Sequence, residues 1–314
     1  MVAHHSRTVR LDIEHHHCSE FLDQIIASDT CEPISAKNVC IVVAHPDDEA
    51  VGAGGQLARL KGVTVVHVTD GSPEDLSFAR NRGFETREAY RTVREWELSE
   101  ALALCRIPRS NQVRLGIRDQ EASLRLIELT YRMASLFRAR EISIVLTHPY
   151  EGGHPDHDAT AFAVHAACRL LAENGEKAVA IIEMASYYAG PTGSVHQRFA
   201  PHPAGPGMGS ILSPSQRLLK QEVLAAHISQ AENLSVFSCE TERFRSAPRY
   251  DFEELPNNGV LRYESFQSGM TGERWLALSL AALHQLRQVQ LPWTFARDAD
   301  PGQAHIRERL VHRS

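Results

Sequence analysis

The chain has 314 residues, 43% of them hydrophobic and 23% charged, a composition that belongs to a folded globular protein and excludes a disordered or low-complexity one. Its formal net charge of -6, without any block of Lys or Arg, leaves no electrostatic footprint for a phosphate backbone, so no nucleic-acid partner is expected. Residues 1–18 lack the apolar core and cleavage site of a signal peptide, and the apolar stretch 275–286 is too short to span a bilayer and carries His284. The expectation is a soluble, cytoplasmic protein with no transmembrane segment.

Seventeen histidines are many, but His4, His5 and His15 to His17 fall in a polar leader where nothing positions them. The six cysteines, at 18, 31, 40, 105, 168 and 239, are scattered without CxxC spacing, which suits buried thiols better than disulfides or a cysteine-ligated zinc.

After a leader over residues 1–36, the β-branched run 38–44 predicts a strand ending in His45-Pro46, since the residue before proline is pushed to extended geometry. A helix over 49–60 and a strand over 63–69 complete a βαβ unit, hence a parallel pair. Residues 85–104 carry apolar positions three and four apart and read as a long amphipathic helix. A strand at 113–115, a helix over 121–138, a strand at 142–147, a helix over 154–172 and a strand at 178–184 continue the alternation. This order predicts an α/β fold, a Rossmann-like, doubly wound, mostly parallel sheet with helices on both faces. Residues 190–214, dense in Gly, Pro and Ser, read as a surface loop. Helices over 215–231 and 273–289 follow, separated by a loop-rich segment. The division expected is a catalytic domain over 37–235 and an extension over 236–314 packed on it.

Two segments carry the chemistry. Ala44-His45-Pro46-Asp47-Asp48-Glu49 packs an imidazole and three carboxylates into the turn after the first strand, at the carboxyl edge of the sheet where ligands bind in such folds. Glu151-Gly152-Gly153-His154-Pro155-Asp156-His157-Asp158 is a second turn between strand and helix, and its histidines, three apart, share one helix face. Two histidines and one carboxylate make a three-ligand zinc site with an open position. A further carboxylate can serve as general base, and a nearby imidazolium can donate to a developing oxyanion. Taken alone, such acids are helix-start residues that cap and complement the dipole, the reading kept for Glu49 and Asp158.

The AHPDDE turn and the later HPDH turn resemble the two hallmarks of the PIG-L/LmbE-like deacetylases. The resemblance implies a divalent metal, usually zinc, and removal of an N-acetyl group from an N-acetylglucosamine-type amino sugar or its conjugate. It implies His45, Asp48 and His157 as ligands, Asp47 as general base and His154 as the oxyanion-stabilising imidazole. Weaker matches extend it over residues 38–235. Arg94 and Glu97 resemble an RxxE helix whose arginine faces substrate, Leu115 to Asp119 resemble a loop whose aspartate contacts sugar hydroxyls, and residues 220–230 are similar to a late helix. Arg94 and Asp119 are therefore substrate-binding candidates, with a surface ion pair and an Asx turn as the alternatives; His227 and Gln230 read as structural. Some members carry a tyrosine two residues before the first histidine of HPDH; Gly152 stands there, and Tyr150 is the nearest substitute.

The tail after residue 235 matches nothing in that family and is a candidate for defining the substrate. Iron or cobalt would also suit a two-histidine, one-aspartate site. A homo-oligomer is compatible with the sequence, and nothing in it fixes the oligomeric state. Two rival readings remain: a dinucleotide-binding oxidoreductase, from Gly52-Ala53-Gly54-Gly55 with Asp70 ending the next strand, and a non-catalytic, metal-containing glycan-binding module.

Overall fold

The structure, a computed structural model, describes residues 18–27, 32–266 and 269–288. The leader histidines, the signal-peptide reading of residues 1–17, Cys31 and the last residue of the 273–289 helix lie outside the described residues.

Helix α1 spans residues 18–26 and buries Phe21, Leu22 and Ile25. Strand β1 (Ile34–Ser35) pairs in parallel with β3 (Leu60–Lys61). The main sheet begins with β2 (Val39–Val43), whose five residues are all buried, as suits an interior parallel strand covered on both faces. Next to it lie β4 (Thr64–Thr69) and β6 (Ile144–Thr147), also buried throughout, with β5 (Gln112–Ile117) and β7 (Ala180–Met184) outside them. All five run in parallel, in the order β5-β4-β2-β6-β7.

Side-chain alternation along the strands sorts the core into two layers. Cys40 and Val42 face helices α5 (Leu126–Ala139), α6 (Pro155–Glu173) and α9 (Gly272–Gln288). Ile41 and Val43 face α1, α2 (Asp48–Ala53), α4 (Arg87–Leu104) and α7 (Pro214–Ala226). The doubly wound, mostly parallel reading is thus what the chain forms. A short helix α3 (Ser77–Arg80) precedes α4, and α8 (Ala231–Leu234) follows α7.

Three readings are corrected. The segment 190–214 holds β9 (Gly193–His196), hairpin partner of β8 (Tyr187–Gly190), and β10 (Met208–Ile211). The loop-rich segment beyond 231 holds β11 (Thr241–Ser246), which pairs antiparallel with β7 and with β10. These strands are polar and partly exposed, so they lack the apolar run that announces a buried strand. The helix expected over 49–60 stops at Ala53, where Gly54-Gly55 ends it, and only a 3-10 turn, Leu57–Arg59, follows.

Because β4 lies on one side of β2 and β6 on the other, chain order reverses at β2 and β6. A crevice opens there at the carboxyl ends of the strands. The two motif-bearing turns leave the sheet from these two neighbours.

Candidate metal centre and catalytic site

The β2–α2 turn is built around an unusual backbone. Asp47 has φ 139°, a region non-glycine residues avoid. Its N–H donates to Glu49 Oε2 at 3.2 Å, and the same oxygen faces His67 Nε2 at 2.9 Å. Glu49 is fully buried, so its role at the helix start is to hold this strained turn. Asp48 caps the turn from within, accepting from the His45 N–H at 2.7 Å.

The β6–α6 turn is fixed by its own side chains. His154 is the N-cap of α6, its Nδ1 accepting from the Asp156 N–H at 3.1 Å. That bond leaves the ring proton on Nε2. Asp158 accepts from the Gly152 N–H at 3.1 Å. Gly153 is required by proximity: a Cβ there would lie 2.1 Å from the carbonyl oxygen of Tyr187.

These turns converge. His45 Nδ1 lies 3.2 Å from Asp48 Oδ2, and its Nε2 lies 3.1 Å from Asp119 Oδ1 and 3.4 Å from Asp156 Oδ2. His157 Nε2 lies 3.3 Å from Asp48 Oδ1. The ring of His154 stands edge-on to that of His45 at 4.5 Å. Two triads have donor atoms all within 4.8 Å of one another: His45, Asp48 and His157, and His45, Asp119 and His154.

The electrostatics follow from this crowding. Burial, with the adjacent Asp48 and Glu49 carboxylates, raises the Asp47 pKa to about 8 against the pull of Arg94 and His45. Burial disfavours ionised Asp48 too, yet the imidazoles of His157 and His148 hold its carboxyl well below the usual range. Burial and the neighbouring His45 charge push His154 well down. Sequence reasoning expects an imidazolium as donor; in the structure Nδ1 already accepts from the Asp156 N–H, so the nitrogen free to donate is Nε2.

A cavity of about 760 Å³ opens above the cluster, lined by His45, Asp47, Asp48, Arg94, Asp119 and His154 among others. Arg94 is buried, which removes the surface-ion-pair alternative. Its Nη2 donates to Asp47 Oδ2 at 3.0 Å and to the Pro46 carbonyl at 2.7 Å, and its Nη1 to the Gly71 carbonyl at 3.1 Å. Glu97 instead binds Ser229, through its backbone N–H and its hydroxyl, both at 2.7 Å. Tyr150 is not at the site: its hydroxyl accepts from Trp275 Nε1 at 2.7 Å and donates to the Glu254 carbonyl at 2.9 Å. The glycines of the dinucleotide reading are packed away, Gly52 against Met184 and Gly55 against Leu212, so no phosphate can approach them.

Three residues escaped the sequence reading. His148 stacks on His157 at 3.9 Å with the rings 8° apart, and its Nε2 accepts from the Ala44 N–H at 3.0 Å. Its signal was present, a second His-Pro closing a strand. Asp156 accepts from the Gln120 and Ala122 N–H groups at 2.6 and 3.0 Å, which places the Asp119 loop. Tyr187 lines the cavity with its ring 5.2 Å from that of His157, and no motif marks it.

The chemistry of the His45, Asp48 and His157 set fits a cation. His157 Nε2 is buried, has no hydrogen-bond partner among the described residues and faces a carboxylate oxygen, an arrangement costly for a purely structural histidine. The second nitrogen of His45 meets the Asp119 carboxylate, the partner that orients and strengthens a ligating imidazole.

Fold and site together define an α/β protein with a carboxylate–imidazole centre at the switch point of its sheet. Residues 40–168 match the PIG-L family, described as "GlcNAc-PI de-N-acetylase". Over 136 residues the chain is 33% identical to the "Probable N-acetyl-alpha-D-glucosaminyl L-malate deacetylase 2" of Bacillus subtilis (strain 168), a match covering 41% of this chain and 59% of that relative. Among solved structures, the zinc-inhibited form of teicoplanin deacetylase Orf2 aligns with TM-score 0.51 and 17% identity, covering 68% of this chain and 98% of that one. The A40926 pseudoaglycone deacetylase Dbv21 aligns with TM-score 0.52 and 18% identity, covering 69% and 99%. Among the described residues no helix is long and apolar enough to cross a membrane.

Proposed function

We propose that this protein is a metal-dependent N-deacetylase that hydrolyses the acetamide of an N-acetylglucosamine-type amino sugar or its conjugate. The observation that carries this reading is the meeting of His45, Asp48 and His157, with Asp47 and His154 beside them on the cavity wall. Zinc is the metal this donor set suits, and the relatives' names add the amino-sugar substrate.

Held by those three residues, the ion supplies Lewis acidity that acidifies water and polarises an acetamide carbonyl. Asp47 takes a proton from the attacking water and later passes it to the amine nitrogen; Arg94 fixes one of its oxygens, and the other has no protein partner among the described residues. His154 presents Nε2–H to the developing oxyanion, its tautomer set by the helix cap. Tyr187, whose hydroxyl has no partner among the described residues, is the second donor. Asp119 orients His45 and closes the side on which the sugar hydroxyls would lie.

The test is acetate release from N-acetylglucosaminides with and without added zinc. Asp47→Asn should keep its metal and lose on the order of a hundredfold or more in rate, while His157→Ala should lose the metal itself. Full activity in Asp47→Asn would overturn the mechanism, whereas no acetate release by the unmodified protein would favour a glycan-binding module.

A further inference from the structure

The cavity holds a cation that the proposed chemistry does not use. Arg262 begins a 3-10 turn in the tail, Arg262–Ser265, and its backbone N–H donates to the Gly152 carbonyl at 2.8 Å, which ties it to the HPDH turn. Its guanidinium lies over two aromatic rings, Phe266 at 4.9 Å and Tyr187 at 5.2 Å, and its Nε donates to Ser194 Oγ at 2.6 Å. These contacts fix the plane of the fork and leave both Nη groups without a protein partner among the described residues. The other arginines held near the site are neutralised: Arg94 by Asp47, Arg87 by Asp70 and Arg245 by Glu151 and Glu183. Arg118, in the loop before Asp119, is paired with Glu74 and Glu121. Arg262 alone among these lines the cavity with no carboxylate beside it.

The cavity, at about 760 Å³, is roomier than one hexosamine ring requires, since pockets of roughly 300–1,000 Å³ hold whole drug-sized ligands. Its aromatic wall, Tyr187, Phe237 and Phe266, suits a group attached to the sugar. We infer that Arg262 receives an anionic group, a carboxylate or a phosphate, carried by the portion of the substrate linked to the amino sugar. A planar guanidinium held on aromatic faces with its two Nη groups free is the geometry that binds either anion through two parallel hydrogen bonds. The inference rests on the deacetylase reading for its sugar, and on Arg262 alone for its charge.

Three glycosides of N-acetylglucosamine decide it, identical but for an aglycone ending in a carboxylate, a phosphate monoester or a primary amide. Acetate release should favour one or both acids over the amide by about ten- to a hundredfold in kcat/KM, the range of a charged hydrogen-bonded contact. Whichever acid is preferred identifies the anion. Arg262→Gln should bring the acid-to-amide ratio close to one, and Arg262→Lys should restore only part of it. Equal turnover of acid and amide by the unmodified enzyme, or an unchanged ratio in Arg262→Gln, would overturn the inference. Calorimetric binding of the same glycosides separates the two readings. If none releases acetate, the deacetylase reading fails, while tighter binding of the acids, lost in Arg262→Gln, would still uphold the anion site and equal binding would sink it.

Discussion

Replacing Lys220 by Met removes a fully buried ammonium that joins three parts of the fold. Lys220 Nζ, on α7, donates to the Val51 carbonyl of α2 at 2.8 Å and to Glu242 Oε1 of β11 at 2.9 Å. The Gly55 N–H donates to that same oxygen at 2.8 Å, and Glu242 Oε2 has no partner among the described residues. Lys220→Met therefore leaves a carboxylate in a site of 0% exposure with one N–H to compensate it. Breaking a buried pair from one side costs about 3–5 kcal/mol, a large part of the roughly 5–15 kcal/mol of a folded domain. Adding Glu242→Gln removes the stranded charge and keeps an acceptor for Gly55. The double variant should regain all but about 1–2 kcal/mol, the value of the lost hydrogen bonds. Urea unfolding measures both, with the midpoint moving at constant slope. A loss under about 1 kcal/mol for Lys220→Met, or a double variant as unstable as the sum of the singles, would refute the reasoning.

Other expectations concern the site and its surroundings. His148→Phe keeps a ring against His157 but loses the acceptor for Ala44; zinc affinity should fall by about ten- to a hundredfold, and unchanged affinity in a metal titration would assign His148 to packing alone. Tyr187→Phe should lower kcat by about a hundredfold, as for loss of one oxyanion donor, with zinc affinity intact; a fall in affinity instead would make it a support for the ligands. Glu151 and Glu183 share the Arg245 guanidinium, and burial, partly offset by that charge, lifts their pKa values to about 8 and about 7. Both folded values exceed the ordinary glutamate value of 4.5, so the folded state binds these protons more tightly. This contribution to stability is full at low pH and is lost as pH rises toward 8. Glu183→Gln leaves one carboxylate for one guanidinium and should flatten that decline in a melting series from pH 5 to pH 8; an equally steep decline would place its origin elsewhere.

What the sequence made legible follows from where its residues sit. β2 and β6 are buried on both faces, so their β-branched runs stand out, and each ends in a His-Pro that starts a functional turn. The carboxylates and imidazoles of both turns are close in sequence, and the parallel order of the sheet brings the turns together. β10, at the sheet edge, and β11, between β10 and β7, do not stand out in the sequence because both are polar and partly exposed: β11 reads Thr-Glu-Arg-Phe-Arg-Ser, yet Phe244 is fully buried. Tyr150 was a misleading neighbour. Two residues from the relevant position in sequence, it is turned toward Trp275 and a separate cavity of about 370 Å³.

Tyr187 and Arg262, proposed above to complete the site, come from outside the matched family region, and the backbone shows why they could not be read from it. Gly152 has φ +70°, and a Cβ there would meet Leu261 at 2.6 Å, so the tail packs directly on the turn that precedes His154. Gly153 admits Tyr187 of the β8–β9 hairpin in the same way. A tyrosine at 152 would need both a strained backbone and the space Leu261 fills. The turn has given up side chains at two consecutive positions, and hairpin and tail occupy the room. The phenol reaches the cavity from β8, and Arg262 follows Leu261 into its rim. In this chain the proposed metal ligands, general base and first oxyanion donor lie within residues 40–168, while Tyr187 and Arg262, the second donor and the anion-binding residue proposed above, are carried by segments that pack against two glycines.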